Sequence, residues 1–396
     1  MIQKLEVHDF KSIKELVLEL GRVNIFLGAN GSGKSNILEA LGVISSASFG
    51  VVDDESLQRR GVRPGVPRLY KTSNKWHKRS PQITFSVKGN GCEYRVSLLN
   101  PLDTPRPQWD FKTESFLDHE QVILSTIGVR SQKNKAIGGM PALMGTLDES
   151  SVEYKFIEEL RNYAIYNPNT PMLRGIVSDP QTRIPVGLSG GGLSDGLLGL
   201  MQSARDNEDL QDYIDDLLSM FDWVRNVKTD VNISSILSNS VARPKRVITF
   251  IDKYMKVNSN KLTAYDASEG VLFALFLMVL CLSDSGPEVF AVDNIDQALN
   301  PRIVKNLMVH LHDWFSNMQS INKKQILCTA HNPAILDGID FSDDLVHIFT
   351  VDRDDEGLTQ VKRVLINDKI QKAAKDKNLS MSQLWMEGYF GGVPNV

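Results

Sequence analysis

The sequence predicts an α/β fold in which a mixed, mostly parallel sheet is flanked by helices. Three observations support this class. A glycine-rich loop separates a short apolar stretch at 22–27 from a helical stretch that begins near residue 37. Strand-like and helix-like stretches then alternate between residues 247 and 351. Two of the apolar stretches end in a single polar residue, as strands do where they reach the ligand-binding edge of a parallel sheet.

The composition fits a chain with a large folded core. The chain has 396 residues, 42% of them hydrophobic, and a net charge of −4, so nucleic-acid binding would need a local basic patch. Cys92, Cys281 and Cys328 match no metal-binding spacing. Cys281 and Cys328 lie in apolar runs, which predicts buried free thiols and suits a cytoplasmic location. The longest apolar run, 271–282, has 12 residues. Because that is too short to span a bilayer, we expect no membrane partner.

The first hundred residues predict two antiparallel strands, the glycine-rich loop, a helix and a hairpin formed by 82–87 and 93–96. Residues 59–79 interrupt this order with eight Lys or Arg residues and no acid, and Tyr70 and Trp76 lie among them. This segment predicts either a solvated surface loop or a surface that binds the backbone of DNA or RNA. In the second case the aromatic rings would be available for stacking on bases.

The rest of the chain divides by its pattern of apolar residues. We expect residues 101–147 to be irregular, and helical spacing marks two further stretches, 151–164 and 193–221. Three parts follow: an N-terminal lobe at 1–100, an irregular and mainly helical insertion at 101–240, and a C-terminal lobe at 241–396. The C-terminal lobe predicts buried helices at 271–283 and 302–315, and strands at 247–251, 288–292, 325–330 and 346–351.

The glycine-rich loop, Gly28 to Ser35, fits the pattern G-x-x-x-x-G-K-[ST] of the P-loop between a strand and a helix. Its backbone N–H groups and the helix N-terminus predict a phosphate site. Lys34 is expected to reach the β- and γ-phosphates of ATP, and the Ser35 hydroxyl to bind Mg²⁺. The predicted nucleotide contacts in this loop are Gly28, Asn30, Gly31, Ser32, Gly33, Lys34, Ser35 and Asn36.

Two later strands supply further candidates. The strand at 288–292 ends at Asp293, which predicts a Walker B element whose carboxylate holds Mg²⁺ together with Ser35. The strand at 325–330 ends at His331, which suits a sensor of the γ-phosphate. A glutamate commonly follows the Walker B aspartate and positions the attacking water, but Asn294 stands here, and an amide cannot act as a general base. Asp296 is the alternative base, and otherwise hydrolysis is slow.

A short motif ahead of Walker B completes the set. Ser268, Glu269 and Gly270 lead into the helix that precedes Asp293, and Ser and Gly at a helix start favour an anion. The stretch 188–192, Leu-Ser-Gly-Gly-Gly, is more similar than Ser268-Glu269-Gly270 to LSGGQ, the signature sequence of one ATPase superfamily. It lies much further from Walker B, so we interpret it as a flexible turn before a helix.

In this order, Phe10-Lys11-Ser12-Ile13, the P-loop, Ser268-Glu269-Gly270, Asp293 and His331 resemble the ABC-type AAA ATPases, a group that includes RecF, SMC proteins and the ATPase part of OLD-family proteins. The resemblance implies an ABC-ATPase-like head and a head-to-tail homodimer with two ATP molecules between Lys34 of one copy and Ser268 of the other. It implies DNA as the usual ligand, and places Lys11 and Ser12 near the nucleotide. Gln121 and Gln132 are candidates for the Q-loop glutamine.

The tail at 384–392 resembles that of short stand-alone ATPases of prokaryotic defence operons, which act with a separately encoded effector, often a nuclease. The resemblance therefore implies an ATPase that controls a partner effector in antiphage defence or acts on DNA. Two alternatives stay open. Asn294 is compatible with a slowly hydrolysing, ATP-gated DNA clamp. The resemblance to RecF is compatible with a DNA-repair factor.

Overall fold

The computed structural model describes residues 1–126, 135–231, 237, 245–317, 323–341, 343–366 and 368–390. The strands form two sheets of six strands and one of three. They are β1 (Lys4–Phe10), β2 (Ile13–Glu19), β3 (Val23–Gly28), β4 (Gln82–Gly89), β5 (Cys92–Leu99), β6 (Asp110–Asp118), β7 (Gln121–Ser125), β8 (Ile165–Tyr166), β9 (Val224–Asp230), β10 (Val247–Asp252), β11 (Lys261–Thr263), β12 (Val289–Val292), β13 (Gln325–Ala330), β14 (Val346–Arg353) and β15 (Thr359–Arg363).

Helices connect and cover these sheets, and 3₁₀ turns occupy Ala204–Asp206 and Pro333–Gly338. The predicted α/β class is confirmed, and the helices and strands expected in the C-terminal lobe are present. The helices are α1 (Lys34–Ser48), α2 (Asp54–Gln58), α3 (Pro67–Tyr70), α4 (Met140–Met144), α5 (Val152–Asn162), α6 (Thr170–Leu173), α7 (Leu193–Ser203), α8 (Glu208–Ser219), α9 (Glu269–Leu282), α10 (Pro301–Asn317), α11 (Asp368–Lys377) and α12 (Met381–Met386).

The central sheet has the order β15-β14-β3-β13-β12-β8. Strands β14, β3, β13, β12 and β8 run parallel, and β15 is antiparallel to β14. The carboxyl ends of parallel strands meet at one edge of a sheet. The residues that follow β3, β12 and β13 therefore converge, although these strands are far apart in sequence.

The second six-stranded sheet is antiparallel, with the order β2-β1-β4-β5-β6-β7. The expectation that residues 101–147 are irregular is wrong, because β6, β7 and α4 lie there. Their burial does not alternate regularly, and irregular registers interrupt the pairing of β6 with both β5 and β7. This pairing depends on tertiary contacts of Phe111 and Phe116, both buried in the core, and not on a local period of two.

Two buried helices connect the sheets to the site. Every residue of α9 from Gly270 to Leu282 is buried, which is what an apolar surface on all sides of a helix predicts. Helix α1 is almost as buried and packs in a core that includes β1 and β4. The two helices start at the ends that carry the P-loop and Ser268, so their burial fixes the direction of both motifs.

Several further expectations can be compared with the structure. The three cysteines are buried free thiols, as predicted. Across the described ranges, no helix has both the length and the apolar character needed to cross a membrane. The division at residues 100 and 240 stays a proposal; β6 and β7 of the middle part extend the sheet that β4 and β5 begin.

Candidate nucleotide-binding site

The P-loop follows β3 directly and its shape requires glycine at two positions. A Cβ on Gly28 would lie 2.0 Å from the Val351 carbonyl oxygen, and one on Gly33 would lie 2.0 Å from Thr359 Oγ1. Gly33 also has φ of +107°, which L side chains rarely adopt. The loop therefore approaches β14 and β15 more closely than any other residue type would permit.

Helix α1 begins at Lys34, and its N-terminus is free to face an anion. Gly33 is the N-cap and offers no side-chain hydrogen bond, so the first N–H groups of the helix lack that partner. Ser32 adds a second observation: its buried hydroxyl has no hydrogen-bond partner among the described residues. A buried orphan hydroxyl beside an uncapped helix N-terminus fits a phosphate group at this loop.

Lys34 folds back over the loop. Its Nζ donates to the carbonyl oxygens of Gly28 at 2.8 Å and Ala29 at 2.7 Å and lies 3.2 Å from His331 Nδ1. Burial lowers the pKa of Lys34 to about 8, although Asp293 and nearby Asp296 raise it. The ammonium is therefore partly desolvated in the absence of an anion, and a phosphate group would compensate its charge.

The predicted metal ligands lie together. Ser35 Oγ is 3.0 Å and 3.1 Å from the two carboxylate oxygens of Asp293. Thr329 on β13, which sequence analysis missed, donates to the same carboxylate and accepts the backbone N–H of Asn294 at 2.8 Å. A hydroxyl and a carboxylate are the hard oxygen donors that Mg²⁺ prefers. The donor set fits Mg²⁺, which would be held by Ser35 and Asp293.

Asn294 and His331 face each other beyond Asp293. His331 Nε2 is 3.0 Å from Asn294 Oδ1, so a neutral ring can donate to the amide and accept from Lys34 through Nδ1. Burial and then the Lys34 charge lower the pKa of His331. Asn294 has φ of +60°, a left-handed conformation that asparagine tolerates better than most residues.

Asp296 is tied to the backbone of the next strand end. One carboxylate oxygen, Oδ2, accepts the N–H groups of His331, at 2.8 Å, and of Asn332. This arrangement makes Asp296 a positioning group for His331. Its role as a general base stays a hypothesis.

Ser12 and Lys11, which the resemblance placed near the nucleotide, lie beside the start of α1. Ser12 Oγ accepts from Asn36 Nδ2 at 2.7 Å and is 2.6 Å from Thr359 Oγ1, a second residue that sequence analysis missed. Lys11 forms an ion pair with the buried Glu39 of α1. The Phe10–Ile13 motif therefore supports the helix that carries the P-loop.

Ser268 is the N-cap of α9, its side chain makes no capping hydrogen bond, and both it and Glu269 are exposed. Gly270 is buried, and a Cβ at this position would lie 3.0 Å from the Ala298 carbonyl oxygen. Within the described part of the chain, no hydrogen bond joins this motif to the P-loop. The motif therefore remains accessible to a second molecule.

The competing stretch 188–192 is closed by the chain itself. The Asp179 carboxylate, buried in this turn, accepts the backbone N–H groups of Ser189 at 2.8 Å and Gly191 at 3.2 Å. An acidic side chain already occupies the place that an anion would take. The stretch precedes α7, as expected of a turn before a helix.

The two candidates for the Q-loop glutamine are Gln121 and Gln132. Gln121 is exposed at the start of β7, and Gln132 lies outside the described residues.

The basic segment 59–79 is less available than its sequence suggests. Tyr70 is buried and donates to the Arg63 carbonyl oxygen, and Lys71 is buried between two carbonyl groups, so neither can contact nucleic acid. The stacking role expected of Tyr70 is wrong, whereas Trp76 is 67% exposed. The remaining exposed cations that form no salt bridge with a described carboxylate, here called the exposed basic cluster, are Arg68, Lys75, Lys78 and Arg79.

Two family models match separate parts of the chain. Residues 1–85 match "AAA ATPase domain", and residues 189–337 match "AAA domain, putative AbiEii toxin, Type IV TA system". The first range contains the P-loop, and the second contains Ser268, Asp293 and His331. These motifs were the ones that carried the resemblance in the sequence.

Curated relatives match over shorter stretches. The chain is 47% identical over 146 residues to the uncharacterized protein MJECL10 of Methanocaldococcus jannaschii, covering 32% of this chain and 65% of that protein. It is 41% identical over 70 residues to the DNA replication and repair protein RecF of Renibacterium salmoninarum, covering 17% of each. A RecF of Halothermothrix orenii is 31% identical over 107 residues, or 26% of each chain.

Solved structures extend the likeness to the whole fold. An Smc head bound to the C-winged helix domain of ScpA has a TM-score of 0.53 and 13% identity, covering 93% of this chain and 99% of that one. An Smc head with an extended coiled coil, bound to the C-terminal domain of ScpA from Pyrococcus furiosus, has a TM-score of 0.51 and 13% identity, covering 96% and 99%. The Smc-head-like fold, the matches to two AAA domain models and the convergence of the P-loop, Walker B and His331 on one edge of that fold together support an ATPase that resembles RecF and the SMC heads.

Proposed function

We propose that this chain binds and slowly hydrolyses Mg²⁺–ATP as a head-to-tail homodimer, and that the ATP-bound dimer controls a partner effector, such as a nuclease, in antiphage defence. The observation that carries this proposal is the convergence of Lys34, Ser35, Asp293 and His331, brought from three separate strands, on one uncapped helix N-terminus.

Each residue of the site has a chemical task in this proposal. Lys34 neutralises the β- and γ-phosphates, and the free N–H groups at the start of α1 hold their oxygens. Mg²⁺, held by Ser35 and Asp293, would supply charge compensation as the terminal phosphate is transferred to water. His331, whose backbone N–H is held by Asp296, would donate its Nε2–H to the γ-phosphate in place of Asn294 and stabilise charge that develops there. Asn294 orients water but cannot remove its proton.

The homodimer follows from the exposed signature motif. Ser268 caps α9 without using its side chain on the helix, and Glu269 beside it is also exposed. A hydroxyl and free N–H groups at a helix start suit a γ-phosphate. In the proposed dimer, Ser268 of each copy contacts the ATP held by the partner's P-loop, so ATP acts as part of the interface.

The proposed partner and setting rest on two further findings. The family model that matches 189–337 carries the name of an AbiEii toxin of a type IV toxin–antitoxin system, which supports a role in defence. Both Smc heads described above are bound to a domain of a separate protein, ScpA. A head of this fold can therefore present a surface to a partner, and we propose the same for this chain.

Asn294 favours a second candidate, an ATP-gated clamp that binds DNA and scarcely hydrolyses. Its amide oxygen lies 3.0 Å from His331 Nε2, and an amide has no useful proton affinity, so Asn294 cannot serve as a general base. The exposed basic cluster and Trp76 would supply the nucleic-acid contact. The RecF matches keep a DNA-repair role as an alternative, although they cover only 17% and 26% of the chain.

Light scattering of the protein with a non-hydrolysable ATP analogue and Mg²⁺, followed by a phosphate-release assay with ATP, tests the proposal. We expect a dimer with the analogue and a monomer without it. Ser268→Arg should bind ATP normally but remain monomeric and inactive, because the added charge and bulk block the interface. Ser259→Arg, on the exposed turn between β10 and β11, is the control. A Ser268→Arg protein that dimerises and hydrolyses like the wild type would contradict the assignment of the signature motif.

A further inference from the structure

A cavity of about 990 Å³ lies on the far side of α1 from the P-loop. The C-terminal end of α1, helices α2 and α5, the edge strand β8 and the loop 284–288 surround it. Its volume is in the upper range of sites for small molecules, which is about 300–1,000 Å³. None of the residues assigned to the nucleotide site lines it, so its side chains are available for a separate role.

Three arginines form one wall of this cavity, and their hydrogen bonds go to neutral groups. Arg60 donates to Ser45 Oγ at 2.7 Å and to the Ser56 carbonyl oxygen at 2.6 Å, and Arg161 donates to the Ser48 carbonyl oxygen at 3.1 Å.

Arg183 donates to the carbonyl oxygens of Asn162 at 3.0 Å and Arg59 at 2.9 Å. Considering the described residues alone, no carboxylate forms a salt bridge with Arg60, Arg161 or Arg183. The wall therefore carries positive charge that its own hydrogen bonds do not neutralise.

The arginines are held close together despite their like charges. Phe49, at the end of α1, has the Arg60 guanidinium carbon 4.7 Å and the Arg161 guanidinium carbon 4.9 Å from its ring centroid, so cation–π contacts fix both groups. Burial, followed by the charges of Arg183, Arg59 and Arg161, lowers the pKa of Arg60 to about 10. The charge of Asp53 acts against that lowering but is the smallest of these influences. Clustered guanidinium groups that form no ion pair are a common feature of anion sites.

A buried hydroxyl points to the same conclusion. Tyr166 on β8 lines the cavity and its side chain is fully buried. No described group accepts the proton of its hydroxyl. The charge of Arg183 and a hydrogen bond from Arg183 to the hydroxyl oxygen act against the rise in the Tyr166 pKa that burial causes. A buried O–H group without an acceptor is costly, and a ligand oxygen in the cavity would accept from it.

The cavity lining also includes acidic residues. Asp284 and Glu288 lie on the loop before β12, and Glu158 lies one helical turn from Arg161 on α5, where its charge acts against the lowering of the Arg161 pKa. A ligand that fills the cavity would place an anionic group on the arginines and hydrogen-bond donors, such as amino or hydroxyl groups, on these carboxylates.

We propose that this cavity binds a small phosphorylated molecule, with its phosphate on the three arginines and the Tyr166 hydroxyl. The phosphate accepts hydrogen bonds from the arginine N–H groups that do not already donate to carbonyl or serine oxygens. It also accepts a hydrogen bond from the Tyr166 hydroxyl. The carboxylates in the lining select for a ligand that also carries hydrogen-bond donors. This site is separate from the P-loop, so it does not depend on the ATPase activity proposed above.

Titration calorimetry with inorganic phosphate as the probe tests this site. The P-loop is first filled with a saturating non-hydrolysable ATP analogue and Mg²⁺, and the titration is repeated on Lys34→Ala protein without nucleotide. We expect one saturable phosphate site per chain in both. Tyr166→Phe removes a hydroxyl whose proton has no acceptor among the described residues, and Arg183 keeps its two carbonyl acceptors, so the protein should unfold close to the wild-type temperature. Phosphate binding should weaken about tenfold, as expected on losing one hydrogen bond to a charged group.

Arg161→Gln should weaken phosphate binding by about tenfold or more, since it removes a charge-assisted contact. Arg68→Gln, an exposed arginine outside the cavity, is the matched control and should bind phosphate like the wild type. The absence of saturable phosphate binding, or equal binding by wild type, Tyr166→Phe and Arg161→Gln, would overturn the proposal. Because the measurement is made with the P-loop filled or disabled, either result is independent of the ATPase.

Discussion

Replacing Asn294 by glutamate tests whether a missing general base limits hydrolysis. The residue follows the Mg²⁺-binding Asp293, and its side chain reaches His331 at 3.0 Å. Its φ of +60° disfavours a glutamate, so we expect Asn294→Glu to lose about 1 kcal/mol of folding free energy. A positioned general base contributes about 10²–10⁴-fold to a rate. The gain in hydrolysis should therefore far exceed the effect of the lost stability.

Single-turnover hydrolysis of Mg²⁺–ATP is the appropriate assay because it isolates the chemical step. The wild-type rate should be well below the ~10 s⁻¹ typical of enzymes, and Asn294→Glu should raise it at least about 100-fold. Asn294→Gln is the matched control, since it has the same length and backbone cost but no proton-accepting group.

Two outcomes would refute this reasoning. A wild type that is already fast shows that a base exists elsewhere, and equal rates for the Glu and Gln variants show that proton removal is not limiting. Asp296→Asn then locates the alternative. It should abolish turnover if Asp296 is the base, and should lower it only as far as His331→Ala does if Asp296 merely positions His331.

The remaining predictions concern charge at the site and on the surface. Since burial lowers the pKa of Lys34 to about 8 and ATP binds its charged form, ATP affinity should be level below pH 7 and fall about tenfold per unit above pH 8. Lys34→Arg should remove that pH dependence, and a wild-type affinity that is constant from pH 7 to pH 9 would contradict the assignment. Neutralising the exposed basic cluster should weaken DNA or RNA binding and flatten its salt dependence, as measured by fluorescence anisotropy at several salt concentrations. Neutralising Arg60 instead should not flatten it, because that side chain is buried, and wild-type protein without salt-sensitive binding would exclude the nucleic-acid role.

Much of the nucleotide site was predictable because its signals are local. A strand that ends in Asp293 and another that ends in His331 are recognisable from short apolar runs, and a parallel sheet brings such ends together. The fold placed both near Lys34, although His331 lies 297 residues after Lys34 and Asp293 lies 258 residues after Ser35. The α/β class and the buried helix α9 were predictable for the same reason, since each depends on an apolar pattern within one stretch.

What sequence analysis missed depends on tertiary contacts. Thr329 and Thr359 carry no motif, and their roles arise from the carboxylate and the loop that other strands place next to them. Tyr70 was expected to stack on bases, but its ring is buried because it packs against Trp109 and Phe10. The basic residues around Tyr70 in the sequence give no sign of this packing. The cavity arginines come from three segments and share no spacing that could reveal them.

The measurement that tests the central claim most directly is the affinity of wild-type and Lys34→Ala protein for Mg²⁺–ATP, obtained by titration calorimetry. Lys34 provides the positive charge that would bind the β- and γ-phosphates. Its ammonium donates to the carbonyl oxygens of Gly28 and Ala29 at the N-terminus of α1. Charge-assisted contacts of this kind dominate phosphate recognition. We predict saturable binding by the wild type and none by Lys34→Ala. Equal affinity of the two proteins would show that ATP does not bind at this P-loop.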